Sequence, residues 1–281
     1  MTRRVLFDGR IVPAPAARVP YLDRAVQYGF GLFETLRIYE GVPFLLEQHL
    51  ARLETSARAF GIRLPLEWKC LPANLARLIR AENARRAGLR IVVTAGAERR
   101  PRTLVAAHLF PLELPPARAY RTGVDVAIGR HISRTGGLLA GHKTLNYLEA
   151  RLARARARAF EVLRLDLHGR ITEGTVTNVF ALIAGSVRTA PVESGILGGV
   201  TRALVIRILA QLRIPIVERA FTPRELLRAS EAFLTNSLVE IVPIRSLDGT
   251  AIRAGPIAQA VLRQYRQRVR EATGTHIIRR K

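Results

Sequence analysis

Several things are scarce in this chain of 281 residues. Cys70 is the only cysteine, so no internal disulfide can form. The six histidines are scattered and no paired His/Cys cluster has zinc spacing, which argues against metal catalysis. No Gly-x-Ser-x-Gly elbow occurs, so the usual serine-hydrolase signature is missing. No uninterrupted apolar stretch approaches the length needed to span a bilayer, and no membrane association is expected. The start, MTRRVLFDGR, has no apolar segment after its basic residues, so it does not read as a secretory signal. Cytoplasm is the expected compartment.

Acidic residues are also few. Asp and Glu total 22 against 45 Lys and Arg, for a formal net charge of +23. A nucleic-acid binder would gather this charge into a patch or tail with aromatics interleaved. Here arginine is spread along the whole chain. Its densest run, Arg151 to Arg158, alternates with Ala and Leu as a solvated helix face does. The tail Arg279-Arg280-Lys281 is short. No nucleic-acid partner is expected, and a non-enzymatic arginine-rich binding protein is the remote alternative.

Lysine is the most informative scarcity. Only Lys69, Lys143 and Lys281 occur among the 45 basic residues. Lysine can lose its proton and form an imine, which arginine does not do. Lys69 lies in LEWKC, on an expected helix, and Lys281 is terminal. Lys143 lies in AGHKTLNYLEA, between a glycine-containing loop and an apolar helix.

Nearly half the residues are hydrophobic, enough for a sizeable core. A hairpin is expected at Arg4–Phe7 and Ile11–Val12 around Asp8-Gly9, and a strand at Leu32–Tyr39. A helix is expected over Glu47–Phe60, where Leu50, Leu53, Ala57 and Phe60 share a face. A second is expected over Glu67–Arg86, ended by Gly88, then strands at Leu89–Thr94 and Thr103–Phe110. Residues 111–123 are proline-rich and aperiodic, as a linker would be. A strand at Val124–Ile128, a loop at Gly129–Gly141 and a helix at Thr144–Ala159 follow. Then come strands at Val162–Leu167, Val176–Ile183 and Ser186–Thr189, a helix at Arg202–Leu212 and a strand at Ile214–Glu218. A short helix at Pro223–Leu227, strands at Ala232–Thr235 and Ile241–Ile244, and a last helix at Pro256–Thr273 complete the pattern. This order predicts an α+β fold rather than a Rossmann-type sheet. The expected domains are a small N-terminal one at 1–113, a linker at 114–123 and a larger C-terminal one at 124–281.

Four stretches could carry chemistry. In GILGGVTRALVIRIL, glycines precede a helix with Thr201 as a plausible N-cap, and the amides of Val200, Thr201 and Arg202 could converge on an anion. A tight turn and a cap would explain it as well. In ITEGTVTNVFAL, Glu173 and Asn178 stand at the entry to an apolar strand. A carboxylate buried there needs a cationic or donor partner; a surface turn is the plain alternative. In EQHLARLETSA, His49 and Arg52 are three apart on one helix face, which suits a phosphate or is simply solvated. In FLTNSLVEIVPI, Thr235, Asn236 and Ser237 interrupt two strands, as phosphate ligands and turn residues both do.

The order of these stretches along the chain is the stronger signal. DRAVQYGFGLFETLR (23–37), EQHLARLETSA (47–57), HKTLNYLEA (142–150), TEGTVTNVF (172–180), GILGGVTR (195–202) and TNSLVEIVPI (235–244) occur in one series. In this the chain resembles the fold-type IV pyridoxal-phosphate enzymes, the class IV aminotransferases, from about Asp23 to Ser246. Branched-chain aminotransferases, D-amino-acid aminotransferases and aminodeoxychorismate lyases belong to that family.

The resemblance implies a two-domain fold and pyridoxal 5′-phosphate as cofactor. It makes Lys143 the Schiff-base lysine and Glu173 the carboxylate that pairs with the pyridine nitrogen. It makes Arg52 the phosphate-binding arginine and Val200 and Thr201 a backbone phosphate cradle, with Ser237 adding a hydroxyl. Leu197 would pack on the ring, and Tyr147 and Asn178 would border the cofactor. Tyr28, Arg37, Arg90 and Thr235 are the implied substrate-side residues. It further implies a homodimer acting on an amino acid and a 2-oxo acid. The lyase forming 4-aminobenzoate is the alternative activity. FET stands where branched-chain enzymes usually carry FEG, and LRIVVTAG lacks the Arg-x-His arrangement of well-known D-amino-acid enzymes.

Overall fold

The computed structural model describes residues 3–99, 101–129 and 137–274. Most of the loop expected at Gly129–Gly141 (residues 130–136) and the tail Arg279–Lys281 lie outside the described residues. The chain divides into two compact units. The first comprises Met1–Glu113, Lys143–Asn146 and Val269–Lys281; the second comprises Leu114–His142 and Tyr147–Arg268. The fold is α+β, with two sheets.

The first unit begins with the hairpin β1 (Arg4–Phe7) and β2 (Arg10–Pro13). Helix α1 (Arg24–Tyr28) follows; its N-cap Asp23 accepts from the amide of Ala25 at 2.8 Å, and Gly29 closes it in a left-handed conformation. Next come β3 (Gly31–Tyr39), β4 (Val42–Pro43), α2 (Leu46–Ala59), α3 (Leu71–Ala81), β5 (Arg86–Thr94) and β6 (Val105–Phe110). The six strands form one antiparallel sheet in the order β2-β1-β6-β5-β3-β4. Because side chains alternate along a strand, Leu32, Leu36, Ile38, Leu89, Ile91 and Val93 face one way. They pack with Leu50, Leu53, Leu75 and Leu78 of the helices as a core. Phe33, Thr35, Arg37, Gly88, Arg90, His108 and Phe110 occupy the other face by the same register.

The expected second helix needs correcting. Residues Leu66–Cys70 form a 3-10 helix, α3 ends at Ala81, and the chain turns at Asn83, whose φ is 49°. Asn tolerates that left-handed conformation and so takes the part expected of a glycine. Gly88 lies inside β5, opposite Phe110, whose ring fills the space a Cβ would need. In sequence the glycine reads as a helix stop, because its reason, a ring on the neighbouring strand, is not local.

The second unit opens with the short helix α4 (Ala119–Thr122) and β7 (Val124–Gly129). It continues with α5 (Leu148–Arg156), β8 (Glu161–Leu165), β9 (Ile171–Gly174), β10 (Asn178–Ile183), β11 (Ser186–Thr189) and α6 (Val200–Gln211). Then follow β12 (Ile216–Glu218), α7 (Pro223–Leu227), β13 (Glu231–Asn236), β14 (Glu240–Leu247), β15 (Thr250–Ala251) and α8 (Pro256–Thr273). Nine strands form a mixed sheet in the order β12-β11-β10-β13-β14-β7-β8-β9, with β15 on β14. One face holds Val126, Leu163, Ile171, Val179, Leu234, Val242 and Ile244 in a core. Phe180 and Phe233 stack on the opposite face at 5.1 Å, together with Asn178 and Thr235 by strand alternation.

Three further expectations are corrected here. The helix expected from Thr144 starts at Leu148, because Lys143–Asn146 instead runs along the start of β3. The expected strand Val176–Ile183 is preceded by a separate strand, β9, that carries Glu173. Thr201 is not an N-cap: Gly199 holds that position and Thr201 is the second helical residue. Gly199 provides no side-chain cap.

Candidate active site

The first unit places Lys143 by backbone pairing. The amide of Phe33 donates to the carbonyl of Lys143 at 3.0 Å, and the amide of Leu145 donates to the carbonyl of Gly31 at 3.0 Å. Asn146 donates from Nδ2 to the carbonyl of Gly29 at 3.1 Å. The lysine segment is therefore fixed to the loop and strand that follow α1. The Nζ of Lys143 lies 4.3 Å from the centre of the Phe33 ring, and the lysine is half-buried. The aromatic face fixes where the amine sits beside β3.

Arg52 sits on α2 against a residue that sequence reasoning did not single out. Glu34 of β3 is fully buried, and Arg52 binds its carboxylate through Nε at 2.7 Å and a terminal nitrogen at 2.7 Å. His49 approaches the same carboxylate through Nδ1 at 2.7 Å. Burial alone would raise the Glu34 carboxyl; the Arg52 charge and the hydrogen bonds from His49 and Arg52 overcome this and lower it to about 2. Burial lowers His49, and the hydrogen bond and charge of Glu34 do not offset it; Arg52 and Lys143 push it down further. His49 is thus neutral, and since an ionised carboxylate only accepts, its Nδ1–H is the donor. His49 also shows that the EQHLAR stretch is not a solvated face: it is 1 % exposed. The signal available in sequence was an acid, Glu34, inside an otherwise apolar strand.

The substrate-side candidates of this unit divide. Arg37 is buried, with its guanidinium 4.6 Å from the Tyr39 ring. Arg90 lies 4.9 Å from the Phe33 ring and 5.8 Å from the Phe110 ring, and its Nε donates to Thr35 at 3.4 Å. Phe33 therefore has both Lys143 and Arg90 against it. Arg37 and Arg90 share one sheet face; Tyr28, at the end of α1, is exposed.

The second unit brings most of its candidates to the start of α6. Glu173, buried at the end of β9, accepts from the amide of Leu197 at 3.0 Å. Asn178 donates from Nδ2 to the carbonyl of Leu197 at 3.1 Å. The Leu197 peptide is held from both sides. A Cβ on Gly199 would collide with the Asn178 amide, so a glycine is required there on steric grounds although its φ is ordinary. The first-turn amides of α6 have no intrahelical acceptors, and the positive end of the helix dipole lies there. The hydroxyls of Thr201 and Ser237 are 3.4 Å apart. The Thr235 hydroxyl is buried and meets no hydrogen-bond partner among the described residues. Tyr147 is half-buried, immediately before α5. This donor set, amides and small hydroxyls with no acid at the helix start, fits a phosphate. The buried Glu173 fits a protonated ring nitrogen.

The amino-transferase class IV family matches residues 31–247, most of the chain. The chain belongs to the class IV aminotransferases. Among its relatives in that family is the D-alanine aminotransferase of Bacillus licheniformis, 33% identical over 262 residues, covering 90% of this chain and 91% of the relative. The branched-chain aminotransferase from the thermophilic archaeon Thermoproteus uzoniensis, solved with norvaline, has a similar fold. It gives a TM-score of 0.86 at 30% identity, covering 98% of this chain and 96% of that one. The 4-amino-4-deoxychorismate lyase from Pseudomonas aeruginosa gives 0.84 at 33% identity, covering 94% and 98%. Class IV aminotransferases are pyridoxal-phosphate enzymes acting on amino acids and 2-oxo acids, and the fold of this chain is theirs. Branched-chain members with this fold have been solved with pyridoxamine 5′-phosphate and with N-(5′-phosphopyridoxyl)-L-glutamate.

Proposed function

We propose that the protein is a pyridoxal-5′-phosphate aminotransferase that moves an amino group between an amino acid and a 2-oxo acid. The observation that carries this reading is Lys143, one of three lysines in the chain, pinned by its own backbone to β3 with its amine on the Phe33 ring. Bound pyridoxal phosphate supplies an aldehyde that condenses with amines and a ring that takes up the electron pair released at the substrate Cα.

The chain's own residues do the rest. Lys143 would hold the cofactor through its Nζ and, when freed by the substrate amine, would carry the Cα proton. Glu173 holds a proton on the ring nitrogen; its own position is held by the Leu197 amide. The amides of Val200 and Thr201 and the hydroxyls of Thr201 and Ser237 bind the phosphate, and Arg52 adds charge while anchored on Glu34. Leu197 and Tyr147 border the ring, with Asn178 fixing the Leu197 peptide. Arg37 and Arg90, on one sheet face, and Tyr28 and the Thr235 hydroxyl hold the substrate, the two guanidinium groups suiting a carboxylate.

A homodimer is the proposed working unit. Tyr21, Leu22, Val26 and Tyr28 form an exposed apolar run on and before α1, which suits burial against a second copy. Two chains of charge +23 repel, but that repulsion is screened over about 8 Å at physiological salt. Sedimentation of the cofactor-loaded protein should show a dimer that loosens at low salt; a fully active monomer would exclude it.

Elimination of pyruvate from aminodeoxychorismate is the second reading, favoured by the likeness to the Pseudomonas lyase. A screen of amino acids of both hands with 2-oxo acids, and of aminodeoxychorismate, separates the two. Keto-acid formation from an amino acid that requires a 2-oxo acid supports the aminotransferase. Release of 4-aminobenzoate without a 2-oxo acid would replace it with the lyase. A protein that stays colourless with pyridoxal phosphate and is unmodified by borohydride would exclude both.

A further inference from the structure

Glu161, the first residue of β8, is fully buried in the second unit, and no cation pairs with it among the described residues. Leaving an ion there without compensation would be costly. Five donors compensate it. Oε1 accepts from the amides of Val162 at 2.8 Å and Thr175 at 3.1 Å and from the Thr175 hydroxyl. Oε2 accepts from the amide of Val176 at 3.2 Å and from the Thr177 hydroxyl at 2.9 Å. Four of the five come from three consecutive residues, 175–177.

Those residues are the turn between β9 and β10, closed by the amide of Gly174 donating to the carbonyl of Thr177 at 2.7 Å. Gly174 has no space for a Cβ, which would lie 2.8 Å from the Glu161 side chain. Glu173 immediately precedes this turn and Asn178 immediately follows it. These two grip the Leu197 peptide, one at its N–H and one at its C=O.

We propose that Glu161 is a positioning residue: its carboxylate shapes the 174–177 turn and thereby fixes Glu173 and Asn178 against the peptide that leads into α6. This rests on the proposed role of Glu173. An ionised carboxylate, with two oxygens that only accept, matches an array of donors; an amide of the same shape does not. Glu161→Gln turns an NH2 toward at least one backbone N–H whichever way it flips.

Two measurements test this. The first uses the cofactor-free protein and hydrogen exchange. Glu161→Gln should speed exchange at Thr175 and Val176 by roughly tenfold or more, the scale of a buried donor left unmatched. Unchanged protection at both amides would overturn the proposal. The second is a double-mutant cycle with Glu173→Gln in the pyridoxal-phosphate-loaded protein, read as single-turnover rate and as the pH at which the bound cofactor's absorbance changes. If Glu161 acts through Glu173, its substitution slows turnover and shifts that pH in the parent. In the Glu173→Gln background it should add little, with a coupling of roughly 2- to 150-fold as found within one hydrogen-bonded network. Fully multiplicative effects with an unshifted pH would reduce Glu161 to a structural residue. If Glu161→Gln does not fold, Thr177→Val removes one donor and is run through the same cycle with the same criteria. Should Glu173→Gln itself leave both readouts unchanged, the reading of Glu173 fails, while the exchange result still decides whether Glu161 holds the turn.

Discussion

Each unit buries an acid, and Glu34 in the first and Glu161 in the second are held in opposite ways. In the first, Glu34, His49 and Arg52 form a buried ionic cluster made of side chains, with Lys143 near enough to depress His49. In the second, Glu161 is held by backbone amides and threonine hydroxyls, Glu173 accepts from the Leu197 amide, and the start of α6 offers amides and hydroxyls beside the Arg202–Glu218 ion pair. A site that must hold a cofactor's charge can thus be built from fixed charges or from oriented dipoles. The first kind is sensitive to losing any one partner, because the others are then left uncompensated. The second degrades by steps of about 1 kcal/mol per hydrogen bond. Substitutions in each unit can break this comparison, beginning with the largest effect.

Lys143→Arg should abolish turnover altogether. The guanidinium keeps the positive charge beside Phe33 and His49 but does not condense with an aldehyde. Borohydride treatment with pyridoxal phosphate should then leave no stable adduct at this position. Normal turnover in this variant would remove Lys143 from its assigned role.

Glu173→Gln should leave the cofactor bound while slowing Cα deprotonation by at least about 10²-fold, the scale for a positioned proton-holding group. The Leu197 amide can still donate to the remaining carbonyl oxygen, so the backbone around α6 should stay in place. Single-turnover spectroscopy measures the rate, and an unchanged value would separate Glu173 from the chemistry.

Glu34→Gln tests the ionic cluster. It removes the charge that Arg52 and His49 share, and the cost of leaving a buried partner unmatched is about 3–5 kcal/mol. Thermal unfolding should fall accordingly, in the cofactor-free protein as well. Gly199→Ala, in the second unit, should be milder. Its Cβ displaces the Asn178 amide and loses the bond to the Leu197 carbonyl, worth about 1 kcal/mol, so affinity for pyridoxal phosphate should fall roughly fivefold. If the two variants destabilise equally, the contrast between the units is wrong.

How much of this is readable in sequence differs between the units for the same reason. Glycines ahead of an apolar helix point to an amide cradle, so Val200 and Thr201 are legible, although the cap lies at Gly199 rather than Thr201. Lys143 stands out because lysine is otherwise so scarce. Glu34 and Glu161 are only half legible: an acid in a mostly apolar strand can be seen, but its side-chain partners lie 14 to 18 residues away. Only pairing in three dimensions shows that these acids are held. Gly88 misleads for a related reason, since its role depends on Phe110 across the sheet. The helix ends expected at Arg86 and Thr144 fall where strand pairing, a long-range interaction, overrides local helical preference.

The last expected effect is the pH dependence of the ionic cluster. The carboxyl of Glu34 is lowered from 4.5 to about 2 in the folded protein. A depressed carboxyl pKa contributes stability that is fully present above the unfolded value and is lost as pH falls through the folded one. The loss should therefore begin below about pH 4.5 and be complete near pH 2. His49 acts in the same direction at higher pH. Its folded pKa is lowered below 6.5, so the unfolded state binds a proton that the folded state does not, and stability declines as pH falls below that value. Both groups make the first unit less stable in acid, and neither predicts a change between pH 7 and 8. Chemical denaturation of the cofactor-free protein from pH 8 to pH 3 should show a plateau and then a decline. In Glu34→Gln the component below pH 4.5 should be missing. A decline of the same size in that variant would place the acid sensitivity elsewhere, for example at Asp166, whose carboxyl is also lowered: burial raises it, but hydrogen bonds from Arg170 and His168 overcome that.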